Sequence, residues 1–320
     1  MEDEGLSFPD PLKSIILLAQ SESTTDIYIN TVDEGAQVLF RVDGVVHEKS
    51  TISQKDGKKL INQLKAAAEI GVTRVVSPAE GDIRWRDGER HRCIRVTMLP
   101  TAGRETAHLR LLSLSEQEWE MERLGFSEAA RSKISQSLQA VNGLVLVTGI
   151  TGSGKTTTMY SIASAQGKEN MAAYSIEDPV EYDLSFAQQI EVDEERGLSM
   201  HEGLRTILRM NPDLIMIGEI RDRDSAIVAA RAALSGRLVL ATIHARDAAG
   251  AVDALHYLGV PYYIIGAALR LIIAQSLLRR LCGFCKEARE LYPEERAIFM
   301  KEGVRLPERS YDAVGCKRCN

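Results

Sequence analysis

The sequence Gly-Ile-Thr-Gly-Ser-Gly-Lys-Thr at residues 149–156 constrains this chain more than any other feature. It follows the apolar run at residues 144–148 and precedes a segment of helical character. A glycine-rich turn between a buried strand and a helix aims backbone N–H groups at phosphate oxygens, while the lysine supplies a charge and the threonine hydroxyl can bind Mg²⁺. The motif therefore predicts an α/β fold that binds and hydrolyses ATP with Mg²⁺.

The loop and the start of its helix supply the expected nucleotide contacts: Gly149, Ile150, Thr151, Gly152, Ser153, Gly154, Lys155, Thr156 and Thr157. Lys155 is expected to face the β- and γ-phosphates, and the Thr156 hydroxyl to bind Mg²⁺. A plain glycine-rich turn is the alternative interpretation. It leaves the Lys-Thr pair without a role.

Further apolar runs follow the same pattern. Residues 172–176, 214–217 and 238–242 are short, uncharged and separated by helical lengths. Such runs are typical of buried parallel strands. They predict a doubly wound α/β sheet, with helices on both faces, within residues 123–320.

The first third of the chain has a different character. Apolar residues alternate along residues 37–42 in a strand pattern, and a helical pattern follows at residues 55–70. These features predict a small α+β domain at residues 1–113. A Glu-rich linker is expected at residues 114–122.

Composition bounds the class of protein. With 44% hydrophobic and 26% charged residues, the 320-residue chain can build two domains of ordinary size. A net charge of −6 disfavours long-range attraction to nucleic acid. The start Met-Glu-Asp-Glu is unlike a secretory signal, and the apolar stretch at residues 260–278 contains Arg270 and Gln275. We interpret that stretch as a helix of a packed domain and expect a cytosolic protein.

Polar side chains are expected at the carboxyl ends of the strands, where ligands of such sheets bind. Glu177 and Asp178 end the second apolar run, Glu219 follows the third and His244 follows the fourth. One carboxylate could orient or deprotonate the attacking water while another holds Mg²⁺ or its waters, and His244 could contact the γ-phosphate. A helix cap explains Asp178 alone equally well, and a lone histidine is more often structural than catalytic.

Four of the five cysteines form two Cys-x-x-Cys pairs, Cys282 with Cys285 and Cys316 with Cys319. Four thiolates in two close pairs suit tetrahedral Zn²⁺, so we predict about one Zn²⁺ per chain in a module at residues 282–319. Reduced thiols without a metal are the alternative. Because the chain stops just after Cys319, we expect a truncated end and some fraying of this site.

The order of these motifs resembles that of the secretion ATPases of type II secretion systems, type IV pilus assembly and the competence pseudopilus. The resemblance covers nearly the whole chain and rests on five collinear stretches: residues 149–158, the acidic segment at residues 176–182, residues 203–222, residues 233–244 and residues 275–282. It implies a RecA-like P-loop ATPase domain preceded by a small α+β, PAS-like domain. It also implies a homohexamer that drives an inner-membrane platform protein from the cytoplasmic face and assembles pilin-like subunits. The acidic charge balance and the absence of interleaved aromatic and basic residues separately favour a protein that makes no direct contact with nucleic acid.

The same resemblance implies arginines near the nucleotide phosphates, at Arg95, Arg110, Arg205, Arg209 and Arg221. They would neutralise charge on the transferring phosphoryl group. Because Arg95 and Arg110 belong to the small domain, their contact with the γ-phosphate would make domain orientation depend on the nucleotide state. Without the resemblance, a surface ion pair is the simpler explanation for any one of them.

The sequence departs from the family pattern at several positions, and other functions remain as alternatives. Ile150 replaces a frequent proline, Tyr28 a histidine and Ser276 an arginine, and the short N-terminal region is similar to that of pilus or competence members or to a trimmed chain. A RecA-like nucleic-acid motor would show DNA-stimulated turnover, and a zinc-bearing interaction module would bind nucleotide without turnover. A regulatory GTPase would carry an Asn-Lys-x-Asp signal, which this sequence lacks.

Overall fold

Alternating apolar residues in the first third of the chain form an antiparallel sheet in the computed structural model. The structure describes residues 11–316, apart from 23, 34, 43, 72, 74–75, 88–89, 103, 113–119, 140–141, 168–170, 183 and 195. Six strands form this first sheet: β1 Thr24–Val32, β2 Gly35–Val42, β3 Val45–Ser53, β4 Ala79–Asp87, β5 Arg90–Thr101 and β6 Arg104–Leu112. Their order is β3-β2-β1-β6-β5-β4, and each neighbouring pair is antiparallel.

Two helices, α1 Leu12–Ser21 and α2 Gln54–Ala67, pack against the first sheet. Ser53 caps α2 by accepting a hydrogen bond from the Asp56 N–H group. Leu60 and Leu64 of this helix join Ile27 of β1 in one buried apolar cluster. The predicted small α+β arrangement is therefore present, with its apolar residues directed toward the helices.

The short apolar runs of the remaining chain form a second sheet. Its strands are β7 Gly143–Thr148, β8 Ala173–Glu177, β9 Gln188–Glu191, β10 Leu214–Ile217, β11 Leu238–Ile243 and β12 Leu269–Ala274. All neighbouring pairs are parallel, in the order β12-β7-β11-β10-β8-β9. The four predicted strands are confirmed as β7, β8, β10 and β11, and all six carboxyl ends meet at one edge.

Helices cover both faces of the second sheet, as predicted. They are α3 Glu128–Leu138, α4 Lys155–Gln166, α5 Met200–Arg209, α6 Arg223–Leu234, α7 Ala248–Tyr257 and α8 Tyr262–Ala268, with a 3-10 helix at Met121–Leu124. Strand residues alternate between two buried clusters: Val145 and Val147 of β7 pack with α3 and α4, whereas Leu144 and Leu146 pack with α5 to α8.

The interpretation of residues 260–278 as one helix is wrong. Helix α8 ends at Ala268, and the chain continues directly as β12, which pairs in parallel with β7. An uninterrupted apolar run is compatible with either a buried helix or a buried strand. The second half of this run pairs with the free edge of β7 and therefore forms a strand.

The chain divides into two compact units, Met1–Ser276 and Leu277–Asn320. The second unit contains β13 Lys286–Arg289, α9 Pro293–Lys301 and β14 Ser310–Ala313, with the two strands antiparallel. The division at residues 113 and 123 stays a prediction, and most of the expected linker at residues 114–122 lies outside the described residues. Within the described parts of the chain, no helix is long and apolar enough to span a bilayer.

Candidate active site

The P-loop, residues 149–156, leaves the carboxyl end of β7 and enters α4 at Lys155. Gly149 has a φ of 150°, and a Cβ atom there would lie 2.3 Å from the carbonyl oxygen of Gln275. Gly154, with a φ of 81°, is the N-cap of α4. Both positions require glycine, because an L side chain would be strained at either and would clash at the first. The turn thus presents the first N–H groups of α4 at the sheet edge.

Lys155 lies across the mouth of this loop. Its Nζ donates hydrogen bonds to the carbonyl oxygens of Gly149 at 3.1 Å and Ile150 at 3.2 Å. Burial lowers the pKa of Lys155, while the nearby charges of Glu219 and Glu181 act in the opposite direction. The cation therefore contacts two carbonyl oxygens and lies near two carboxylates, and a phosphate could replace the carbonyl contacts.

The tip of the loop is open, and its base is braced from β12. Ile150 is 70% exposed, Thr151 and Gly152 are also exposed, and Ser153 is buried. Gln275, which follows β12, donates to the Ser153 carbonyl at 2.7 Å and accepts from the Thr158 hydroxyl at 2.8 Å. Sequence reasoning placed Gln275 within a family stretch without a role, and the structure identifies it as the residue that holds the loop.

Thr156 in the first turn of α4 meets a carboxylate that sequence reasoning did not single out. Its hydroxyl lies beside the carboxylate of Glu181, the fifth residue of the stretch that starts at Glu177, and lowers the pKa of that group. Burial raises the pKa of Glu181, and the Thr156 hydroxyl and the charges of Arg110 and Arg95 only partly offset that effect. A hydroxyl beside a carboxylate with incomplete counter-charge fits the oxygen ligands that Mg²⁺ prefers.

Glu177, the glutamate chosen from sequence, has a different environment. It is 1% exposed. Its carboxylate accepts hydrogen bonds from the Tyr160 hydroxyl, from the Ser175 hydroxyl at 2.5 Å and from the Gln189 amide at 3.2 Å. Burial raises its pKa as well. The side chain thus points into the core beneath the acidic segment. In the described chain it has no hydrogen bond to Thr156 or Lys155, and its catalytic role stays a prediction.

Glu219 and His244 lie together at the carboxyl ends of β10 and β11, as expected. His244 Nε2 is 2.5 Å from Glu219 Oε1, and the side chain of Glu219 is only 14% exposed. Arg221 bonds to the other Glu219 oxygen and, through Nη1 at 3.0 Å, to Asp178. Arg221 therefore ties β10 to the acidic segment and leaves Glu219 within electrostatic reach of Lys155.

Arg95 and Arg110 are direct neighbours across β5 and β6. On either side, Asp82 pairs with Arg95 and Asp26 pairs with Arg110 in the registers of β4 and β1. Directly opposed residues share one face of a sheet, so these four form a charged row. Both arginines lower the pKa of Glu181. The charged row of the first sheet thus faces the acidic segment of the second.

The two arginines of α5 are placed differently. Arg205 and Arg209 are exposed, and α5 packs on the sheet face opposite α4. Arg209 donates to Thr206 of the same helix at 3.0 Å. In the described chain, no hydrogen bond or ion pair joins either guanidinium to the P-loop, and their role near the phosphates stays a prediction.

A separate cluster in the second unit brings together Cys282, Cys285 and Cys316, all half-buried, with their Sγ atoms within 4.8 Å of one another. Thiolates around a tetrahedral Zn²⁺, each about 2.3 Å from the metal, have similar spacing. The predicted fourth ligand, Cys319, lies outside the described residues. The donor set fits zinc, with the metal itself still a prediction.

The chain matches a family model described as "Type II/IV secretion system protein" over residues 4–320. It is 36% identical over 319 residues to a putative type II secretion system protein E of Escherichia coli K12, covering 100% of this chain and 64% of that protein. It is 36% identical over 312 residues to the type IV pilus assembly ATPase PilB of Myxococcus xanthus, covering 96% and 55%. The chain spans only 64%, 62% and 60% of three curated relatives that it matches.

Two solved structures share the fold. The pilus retraction motor PilT with bound ADP has a TM-score of 0.62 and 27% identity, over 84% of this chain and 79% of that one. The ATPase DotB of Legionella pneumophila has a TM-score of 0.66 and 23% identity, over 87% and 79%. The predicted RecA-like P-loop ATPase fold is confirmed. The resemblance seen in the motifs is confirmed as well, and the chain belongs to the type II/IV secretion system protein family.

Proposed function

We propose that this chain hydrolyses ATP and uses the energy to drive assembly of pilin-like subunits in a type II secretion or type IV pilus machine. The supporting observation is that the key groups of both sheets converge on one place: Lys155, Thr156, Glu181, Glu219, Arg95 and Arg110. Family membership and the ADP-bound PilT relative support a nucleotide at this place.

Each residue then has a chemical role that follows from its position. The P-loop N–H groups and Lys155 bind the β- and γ-phosphates, and the Thr156 hydroxyl is placed to hold Mg²⁺. When bound, Mg²⁺ withdraws charge from the phosphate oxygens. Ionised Glu181 accepts a proton from the attacking water. Glu219, held by Arg221 and His244, orients that water from the neighbouring strand.

The arginines of the first sheet neutralise the charge that develops on the phosphoryl group. Arg95 and Arg110 are near enough to Glu181 to lower its pKa, and a movement of the charged row toward the P-loop would bring them to the γ-phosphate. Because they belong to the other sheet, turnover becomes coupled to movement of that sheet.

The assembly and its partners are part of the same proposal. We infer a homohexamer at the cytoplasmic face of the membrane that acts on a platform protein, with the competence pseudopilus as a further candidate machine. The names of the relatives support a secretion or pilus machine. A hexamer predicts turnover per chain that rises with protein concentration. A rate per chain that is constant over a thousandfold dilution would contradict it.

The cysteine cluster supports a structural Zn²⁺ in the second unit. Thiolate ligands on both sides of α9 would tie the ends of this small unit together. Its effect is expected on the stability of the unit rather than on the phosphate chemistry.

Lys155→Ala tests the enzymatic proposal. We expect ATP turnover to fall by on the order of 10²-fold or more, because the cation beside the phosphates is lost. Lys133→Ala is the matched control, since Lys133 is an exposed residue of α3 outside the site. Nucleotide binding without turnover in the wild type would favour the zinc-bearing interaction module, and strong stimulation by DNA would favour a nucleic-acid motor.

A further inference from the structure

An ion pair joins the two sheets next to the candidate active site. Arg84 of β4 places Nη2 2.5 Å from Oε1 of Glu191, the last residue of β9. The same Nη2 lies 3.2 Å from Asp82 Oδ2. The hydrogen bond that Arg84 donates to Glu191 raises the pKa of Arg84. Arg84 therefore holds a carboxylate from each sheet.

The second oxygen of Glu191 leads into the acidic segment. Oε2 accepts the N–H group of Val180 at 3.0 Å. Val180 directly precedes Glu181, whose carboxylate meets the Thr156 hydroxyl. Glu191 thus anchors the backbone next to the proposed catalytic carboxylate, while its own position is set by Arg84.

Asp82 extends this link between the sheets, the Arg84–Glu191 ion pair, toward Arg95. Its Oδ1 lies 3.9 Å from Arg95 Nε, and the two residues are direct partners across β4 and β5. A cleft of about 710 Å³ opens beside the link and is lined by Asp82, Arg95 and Glu191 among others. Since the sheets are separated by open space there, specific polar contacts rather than packing set their spacing at this point.

We propose that Arg84 and Glu191 are positioning residues that hold Glu181 of one sheet in register with Arg95 of the other. This inference rests on the proposed ATP hydrolysis. Neither residue needs to touch the nucleotide. Breaking the pair lowers the maximal turnover rate, because the alignment of Glu181 and Arg95 is used in the transition state, and leaves nucleotide binding by the P-loop intact.

The test compares Arg84→Gln, Glu191→Gln and the double variant with the wild type. Each single variant is expected to lower kcat by roughly 3- to 10-fold with KM and the affinity for a fluorescent ADP analogue unchanged. In the double variant the losses do not multiply, because the second change removes a contact that is already broken.

Arg196→Gln is the matched control. Arg196 lines the same cleft, and its partner Asp193, at 3.3 Å, belongs to the same loop. This substitution removes one positive charge, as Arg84→Gln does, and leaves the Arg84–Glu191 ion pair in place. We therefore expect kcat to stay at the wild-type value. Wild-type kcat in Arg84→Gln, losses that multiply in the double variant, or an equal loss in Arg196→Gln would overturn the inference. The Lys155→Ala result decides the ATPase proposal separately.

Discussion

Replacing Glu181 by glutamine removes the negative charge beside Thr156 and keeps the size of the side chain. If this carboxylate accepts the proton of the attacking water, kcat falls by on the order of 10²- to 10⁴-fold. Burial raises the pKa of Glu181, and only the ionised form can accept a proton. Wild-type turnover should therefore decline as the pH falls through the range in which Glu181 becomes protonated, and the variant should lose this dependence.

Glu177 provides the matched comparison within the same segment. Glu177→Gln keeps an acceptor for Ser175, and its new amide can donate to Tyr160, so turnover should stay within a few-fold of the wild type. Glu177→Ala removes the acceptor of both buried hydroxyls. At about 1–3 kcal/mol for each unsatisfied donor, the loss of stability is about 2–6 kcal/mol. Gln189 adds little, because it also donates to Tyr182.

Three measurements decide this prediction: steady-state ATP turnover from pH 5 to 9, binding of a fluorescent nucleotide, and urea unfolding. Glu181→Gln should bind nucleotide and unfold like the wild type while losing turnover. If instead Glu177→Gln abolishes turnover with intact binding and Glu181→Gln turns over normally, the assignment of roles from the structure is refuted.

The remaining predictions concern the charged row and the metal. Arg95→Ala and Arg110→Ala should each lower kcat with little change in nucleotide affinity, and wild-type rates in both would contradict the coupling between sheets. Metal analysis of protein purified without chelator should find about one Zn²⁺ per chain, and Cys282→Ser should reduce this content while ATP turnover is retained. Asp26 is buried, yet hydrogen bonds from His108 and Thr25 and the charge of Arg110 lower its pKa to about 2. Its ionised form should add about 2 kcal/mol of stability above pH 4, lost as the pH falls toward 2. In Asp26→Asn the free energy of unfolding should depend less on pH over this range. An unchanged pH profile would contradict the stabilising contacts of ionised Asp26 with His108 and Arg110.

Much of the fold could be predicted from local sequence patterns. The P-loop, its strand and its helix follow from adjacent residues, because the turn needs glycine at special backbone angles and the strand needs an unbroken apolar run. Four parallel strands were predictable for the same reason. The strand β12 was not, because the choice between helix and strand at residues 260–278 depended on the open edge of β7.

The choice between Glu177 and Glu181 shows where local patterns stop. Both belong to one short acidic segment, and strand-end position favoured Glu177. In the structure, the end of β8 directs Glu177 toward Tyr160 and Ser175, and the following loop returns Glu181 to Thr156. The direction of a side chain after a strand depends on the path of the loop, which no local pattern encodes.

The sequence by itself determined the glycine-rich motif at residues 149–156, which predicts phosphate binding, and the membership of the type II/IV secretion system protein family, because those features lie in contiguous motifs. Only the tertiary structure decided which carboxylate meets Thr156, how Gln275 braces the loop, and that Arg84 of one sheet holds Glu191 of the other. Those contacts join residues far apart in the chain, and their geometry exists only once both sheets have packed.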